Sequence, residues 1–480
     1  MLFREWRRKG TLLATVAVLA GSLFASGIPL PETASAASVT NSINWGSATG
    51  KTANGFTYGM NIYKGHENSY ATNTNYQNAV KYLKPGLIRI HRAQQMNDSA
   101  TDNAGWVKNA SSSSYAWDYA KIDTVVGNMV ATANSLGATV MINISNWPAY
   151  LKASGSNKLR TDKYDEYGNF IASLVQYVNK TKGWNVKYWE VLNEVDGGRT
   201  DGTDRYNGNM AEAAKIYNIV AQKIKAVDST VKVGGPAFEN AWSSNQTNVD
   251  AFISNAHPYM DFISYHTYYS CSGSSDSSIW DNAQQAGSHT SFMKGRLAAY
   301  TSRAIETFHN EYNISYCPPD TRMNNEKGMV FDALMMMAMA KAGPTGTAAW
   351  NEVDGWYGKI DANSTFTRRP SAHLYNVFNT DMTGTIVSTT TSNNKAVDIM
   401  ATKGGTWKKF ALVNRSGVDQ TVQISFSGWT TTPAAGTTFV AKKISSSGLS
   451  YSSPTYGTLT SSTGYTISAN SAVVFTINGY

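Results

Sequence analysis

Two runs in this 480-residue chain place an Asn-Glu pair at the end of a β-rich stretch: Tyr188-Trp189-Glu190-Val191-Leu192-Asn193-Glu194 and Thr307-Phe308-His309-Asn310-Glu311-Tyr312. Their spacing equals three strand-helix units, so if both stretches belong to one barrel, Glu194 and Glu311 project from the same face. Two carboxylates facing one cavity are the minimum for cleaving a glycosidic bond. One protonates the leaving oxygen while the other attacks the anomeric carbon or activates water. Either glutamate alone would read as an ordinary exposed or salt-bridged carboxylate; the matched placement favours chemistry. A third carboxylate, Glu352, follows Asn351 at the end of Ala348-Ala349-Trp350-Asn351. It falls in the next loop with Asp354 and is expected to be a loop residue or a substrate contact.

Other residues could support such a pair. Arg89 and His91 are two apart and share one side of a strand, as do His266 and Tyr268. A cation or a phenol donor beside Glu311 would keep that carboxylate ionised and aimed. Each histidine alone could equally be a hydrogen-bonded core residue. Trp350 suits the floor under a sugar ring, and Trp147, followed by Pro148, suits either a cleft wall or a hydrophobic plug under its loop. Strict alternation would turn Asn193 away from Glu194, so a local bulge is expected if both face one cavity.

The elements that must carry these residues alternate. β-rich runs at 56–62, 87–92, 139–145, 186–193, 231–236, 262–268, 304–312 and 347–351 are separated by helical patterns such as 116–136, 164–181, 210–228, 248–256 and 327–342, with 370–378 as a closing helix. Eight strands over residues 56–380 predict an α/β fold, a (β/α)8 TIM barrel with loop insertions. The rival, a doubly wound open sheet, lacks a glycine-rich turn after its first strand. From 381 to 480 the composition shifts to Ser, Thr and Gly with short alternating runs, predicting a C-terminal antiparallel β-sandwich. The segment 37–55 is a candidate extra strand for it. Trp407 and Trp429 there are either buried packing or a sugar platform.

Composition narrows the class further. Hydrophobic residues make up 42% and charged residues 15%, too apolar and too lightly charged for disorder. The net charge of +8 has no Lys/Arg runs that would argue for nucleic acid. The basic residues Arg4, Arg7, Arg8 and Lys9, an apolar run and then Ala34-Ser35-Ala36 predict a secretory signal peptide over 1–36 and an extracellular protein with no membrane span. Gly46-Ser47-Ala48-Thr49-Gly50-Lys51-Thr52 resembles a phosphate loop but is one residue short between its glycines. No zinc-ligand spacing occurs, and neither a metal nor an organic cofactor is expected. The two cysteines, Cys271 and Cys317, fall in loops after the sixth and seventh strands and should lie close enough for a disulfide, with two free thiols as the alternative.

With these residues in order, the chain resembles the retaining glycoside hydrolases of clan A, closest in pattern to glycoside hydrolase family 39. The resemblance rests on Arg89-Ile90-His91, Asn193-Glu194, His266-Thr267-Tyr268, Asn310-Glu311-Tyr312-Asn313 and Trp350. It implies Glu194 as acid/base, Glu311 as nucleophile, and Asn193 as the partner of the sugar 2-hydroxyl. Many members carry Trp before the first Asn-Glu pair and Pro after it, where this chain has Leu192 and Val195. The expected partner is a polysaccharide or its oligosaccharides, cleaved by double displacement. An exo-acting xylosidase- or arabinosidase-like enzyme is the alternative within that class, and a non-catalytic glycan-binding protein on a barrel scaffold is the alternative outside it.

Overall fold

The computed structural model describes residues 38–197, 205–271, 273–317 and 320–480; the expected leader at 1–36 lies outside them. Gly59–Ile62, Leu87–Ile90, Thr139–Ile144, Tyr188–Val191, Lys232–Phe238, Phe262–Ser270, Glu306–Ser315 and Gly346–Ala349 close into a barrel in that order, every neighbouring pair parallel. They are the eight strands read from sequence. Two bounds differ in a way that matters below: the fourth strand stops at Val191, before Asn193, and the seventh runs past Glu311 to Ser315.

Helices wrap the barrel because one stripe of each is apolar. Tyr119–Leu136 buries Ile122, Val125, Val126, Met129, Val130 and Ala133, the i, i+3, i+4 stripe of a helix lying on a sheet. The Asp118 side chain accepts the Lys121 N–H at its start, and Gly137 ends it with φ 64°. The helix after the seventh strand, Glu326–Ala342, is apolar almost all round, with Met329, Val330, Phe331, Leu334, Met335 and Met336 buried. It packs on the barrel with one side and on the accessory sheet with the other, so no face is left for water.

The barrel interior is filled in layers. At the bottom Leu87, Met141, Tyr188, Phe262 and Phe308 pack together. The three rings meet edge to face, Tyr188 at 5.3 Å from Phe308 and 5.6 Å from Phe262. Gly234 leaves room for them: a Cβ there would lie 2.4 Å from the Phe262 ring. One inward step up the strands the layer turns polar, with Asn61, Arg89, Asn143, Glu190 and Ser264 all fully buried.

The accessory part is one nine-stranded sheet rather than two separate layers. Its order is Gly448–Ser452, Val440–Ser445, Ser471–Asn478, Trp407–Asn414, Val397–Lys403, Gly384–Thr391, Val39–Ala53, Gln420–Ser427 and Tyr465–Ile467. All pairs are antiparallel except Val39–Ala53 with Gln420–Ser427, which run parallel. That insertion joins what would be two layers into one hydrogen-bonded sheet. The sheet curls over its own core, bringing Phe426 to 5.7 Å from Phe410. The phosphate-loop lookalike at 46–52 lies inside Val39–Ala53 and serves sheet pairing, with register shifts on both sides of Ala48. Trp429 packs on Trp45 and Phe426, and Trp407 covers Gly384 and Gly404. Both rings are half-buried and pack against the sheet.

The tight bottom layer gives the first prediction. Gly234→Ala should destabilise the protein by about 1–3 kcal/mol through overpacking against Phe262. Urea unfolding measures it, and an unchanged midpoint would mean that the layer has slack.

Candidate active site

Arg89 stands at the centre of the polar layer with no exposure to solvent. Its Nε donates to Glu190 Oε2 at 2.7 Å, Nη1 to Asn61 Oδ1 at 2.8 Å and Glu311 Oε1 at 2.7 Å, and Nη2 to Asn193 Oδ1 at 2.8 Å. Glu190 is held further by Asn143 and Asn310, each donating at 2.6 Å. Burial disfavours the guanidinium charge, but Glu190 and Glu311 outweigh it and raise the Arg89 pKa. Burial likewise works against ionised Glu190, and Arg89 with Ser264 and Asn310 reverses that and lowers its pKa.

The two Asn-Glu pairs reach this cavity by different backbone devices. In the seventh strand His309 pairs with Tyr265 and Glu311 with His266, so Asn310 is an extra residue in the ladder. This bulge turns two consecutive side chains inward, Asn310 to Glu190 and Glu311 to Arg89. At the fourth strand the anticipated bulge is absent. Instead the strand has ended, and Leu192 and Glu194 adopt left-handed φ of 75° and 48°. Hydrogen bonds hold the turn: Leu192 N–H to Ile144 O at 2.9 Å, Asn143 Nδ2 to Leu192 O at 2.9 Å, and Glu194 N–H to Ala237 O at 2.8 Å. Non-glycine residues in such conformations cost on the order of 1–3 kcal/mol each and persist only where their surroundings fix them.

Around the glutamates the remaining residues converge. Tyr268 donates to Glu311 Oε2 at 2.9 Å, and His91 Nε2 lies 3.7 Å from Glu311 Oε1. His266 Nδ1 is 2.8 Å from Glu194 Oε1, and its Nε2 is 3.6 Å from Glu311 Oε1. A carboxylate oxygen of Glu194, one of Glu311 and a ring nitrogen of His266 all lie within 4.8 Å of one another. Glu194 keeps 21% of its side chain exposed, Glu311 only 6%. Burial opposes the His266 imidazolium, yet the Glu311 charge and the Glu194 hydrogen bond prevail and raise its pKa. His91 goes the other way: burial and the Arg89 charge hold it well below the ordinary value, so it sits neutral beside Glu311. The same three residues have the spacing of a metal site. Their atoms are already engaged by Arg89 and by one another, and a cation there would face the Arg89 charge.

Trp350 is half-buried at the end of the eighth strand, 5.6 Å from the His91 ring and 5.4 Å from Tyr63. Trp147 is 1% exposed and edge-on to Tyr167 and Tyr206, which is the plug of its two roles. Glu352 lies in the loop, as expected, but is fully buried there, and burial pushes its pKa up to about 7. Cys271 and Cys317 form a disulfide with their Cα atoms 4.7 Å apart, tying the loops after the sixth and seventh strands. Glu190, Asn61 and Asn143 were not singled out in the sequence, and Asn310 only as the neighbour of Glu311. The available signal was Arg89 itself, in the apolar run Leu87-Ile88-Arg89-Ile90, since a buried guanidinium demands a buried anion.

A closed parallel barrel that presents two facing glutamates, one just past its fourth strand and one on its seventh, has the equipment of a glycoside hydrolase. The profile of glycosyl hydrolases family 39 matches residues 102–412, more than half of the sequence, and the chain belongs to that family. A curated relative, the beta-xylosidase of Caldicellulosiruptor saccharolyticus, is 27% identical over 226 residues, 43% of this chain and 42% of the relative. The match thus spans less than half of that relative's length. Among solved structures, a monomeric beta-xylosidase from Caulobacter crescentus superposes with TM-score 0.67 at 15% identity, covering 92% of this chain and 99% of the other. A family 39 enzyme from Xanthomonas axonopodis pv. citri does so with TM-score 0.66 at 15% identity, covering 94% and 100%. At these identities the superpositions speak for the fold.

Two predictions follow from the geometry. Arg89→Met leaves Glu190 and Glu311 buried without their cation and should cost about 3–5 kcal/mol in denaturant unfolding. For the disulfide, the denatured, unreduced protein should titrate no free thiol. Cys271→Ser should lower activity more than melting temperature, because Glu311 is anchored to the tied segment; two titratable thiols would count against it.

Proposed function

We propose that the protein is a retaining glycosidase with Glu311 as nucleophile and Glu194 as acid/base, acting on the ends of xylose-containing oligosaccharides. The observation that carries this is the asymmetric pair of carboxylates with oxygens within 4.8 Å, close to the roughly 5–5.5 Å of retaining enzymes and short of the roughly 6.5–9.5 Å of inverting ones. Glu311 is buried, and Arg89 and Tyr268 each donate to one of its carboxylate oxygens, which aims it as a nucleophile. Glu194 is the more exposed and bonds to His266, which suits a group that exchanges protons with leaving group and water. The xylose preference is supported by the curated relative named a beta-xylosidase.

In the first step Glu311 attacks the anomeric carbon as the bond to the leaving oxygen breaks, and that oxygen takes the Glu194 proton. Esterification removes the Glu311 charge. Glu194, left as a carboxylate by the first step, then takes a proton from the water that attacks the anomeric carbon, and the bond from that carbon to Glu311 breaks. Asn193, oriented by Arg89, is offered as the partner of the sugar 2-hydroxyl. Action outside the cell is part of the proposal, supported by the leader-like segment at 1–36 and by a disulfide suited to an oxidising compartment. Among the described residues no helix is long and apolar enough to cross a membrane.

Glu311→Ala should lose turnover by several orders of magnitude, with azide restoring part of it as a glycosyl azide of inverted configuration. Glu194→Ala should spare aryl glycosides with good leaving groups, which need little protonation. Proton NMR of the first-formed sugar should give the substrate's anomer, and xylo-oligosaccharides should release xylose from one end. An inverted first product, or near-normal rates in both variants, would overturn the assignment.

A further inference from the structure

Glu352 is a third glutamate at the barrel mouth, and the chemistry proposed above does not use it. It belongs to the seam where the barrel closes. The eighth and first strands pair only through Ala348 with Gly59 and Ala349 with Met60. Beyond that short ladder the two chains continue as loops, one carrying Trp350 and the other Tyr63.

Glu352 bonds those loops together where the ladder has stopped. Its backbone N–H donates to Asn61 O at 3.2 Å. Its carboxylate accepts two consecutive backbone N–H groups of the other loop, Tyr63 to Oε2 at 2.7 Å and Lys64 to Oε1 at 2.8 Å. The Tyr76 hydroxyl, from the helix Thr74–Leu83, donates to Oε1 at 2.7 Å. A wholly buried carboxylate is costly in apolar surroundings, and here the three converging donors are what offset that cost.

The loops it joins hold the aromatic wall of the site. The Tyr63 ring lies edge-on to Trp350 at 5.4 Å, with the Arg92 guanidinium 4.4 Å from its centre. Trp350 leans on His91, which borders Glu311. Moving the 63–64 backbone therefore moves a ring that touches the proposed sugar floor, while Glu194 and Glu311 keep their own anchors.

We infer that Glu352 is a positioning residue for substrate binding, fixing Tyr63 against Trp350 by clasping the first-strand loop to the eighth; the inference rests on the glycosidase reading of the site. An Asn-Glu pair at a strand end thus has a third use in this chain, set by which loop the carboxylate enters.

The test is steady-state hydrolysis of an aryl β-xyloside by the full chain, three single variants and one double variant. Glu352→Gln, which keeps the shape and loses one acceptor, should raise KM about threefold. Glu352→Ala and Tyr63→Ala should each raise it about tenfold, with kcat within about twofold, as expected when binding rather than the chemical step is disturbed. The double variant Tyr63→Ala/Glu352→Ala should be no worse than the worse single one, because both act through one ring. Should Glu352→Ala fail to fold, Glu352→Gln combined with Tyr63→Ala reads the same coupling. The inference is overturned if KM stays unchanged while only the melting temperature falls, if kcat takes the loss, or if the two effects multiply. A wild-type protein inactive on every aryl glycoside would instead overturn the functional reading and this inference with it.

Discussion

The site depends on one buried cation. Arg89 touches Glu190, Glu311, Asn61 and Asn193, so the first, fourth and seventh strands that deliver those residues are referenced to a single guanidinium. Removing charges from water costs several kcal/mol per ion, and only near-ideal geometry with satisfied hydrogen bonds offsets it. The planar fork supplies that geometry, whereas a lysine would offer a point charge and leave acceptors unmet. Burial and the same cation hold His91 down, whereas at His266 the charges of Glu311 and Glu194 prevail over both and raise its pKa. The two glutamates thus separate two otherwise similar histidines.

Backbone irregularity does the remaining work of aiming. A regular strand alternates its side chains, yet both Asn-Glu pairs need two neighbours facing one way. The seventh strand solves this inside the ladder with an extra residue at Asn310; the fourth solves it after the ladder with left-handed Leu192 and Glu194. Barrel strands are parallel and rigid, so deviations confined to their ends cost little of the core beneath. The bottom layer of Tyr188, Phe262 and Phe308 is untouched by either device.

The barrel was legible in the sequence because its strands are short apolar runs separated by helical stripes, a pattern that burial imposes directly. Arg89, His91, Glu194, His266, Tyr268 and Glu311 were legible as well, since charged and polar residues at strand ends have few structural reasons to be there. Three features were not. Glu190 hides at an inward position of an apolar run, where only its pairing with Arg89 across two strands explains it. The burial of Glu352 depends on donors from a loop nearly 290 residues away in sequence, which no local pattern reveals. The C-terminal strands were recognisable by alternation, but alternation is silent about which strands pair, and so about the single curled sheet.

That sheet has an order of assembly written into it. Val39–Ala53 is an interior strand, flanked by Gly384–Thr391 and Gln420–Ser427, so the earliest described segment finds both neighbours among the last residues made. At ribosomal rates of about 5–20 residues per second, it must wait on the order of 17–70 s for the nearer one. The whole barrel is synthesised in the interval. The strand's apolar side, with Val39, Ile43 and Trp45, has none of its sheet neighbours on the chain until then. The sheet can complete its pairing only after residues 384–427 exist, so its closure is tied to the C-terminal part of the chain rather than to the barrel.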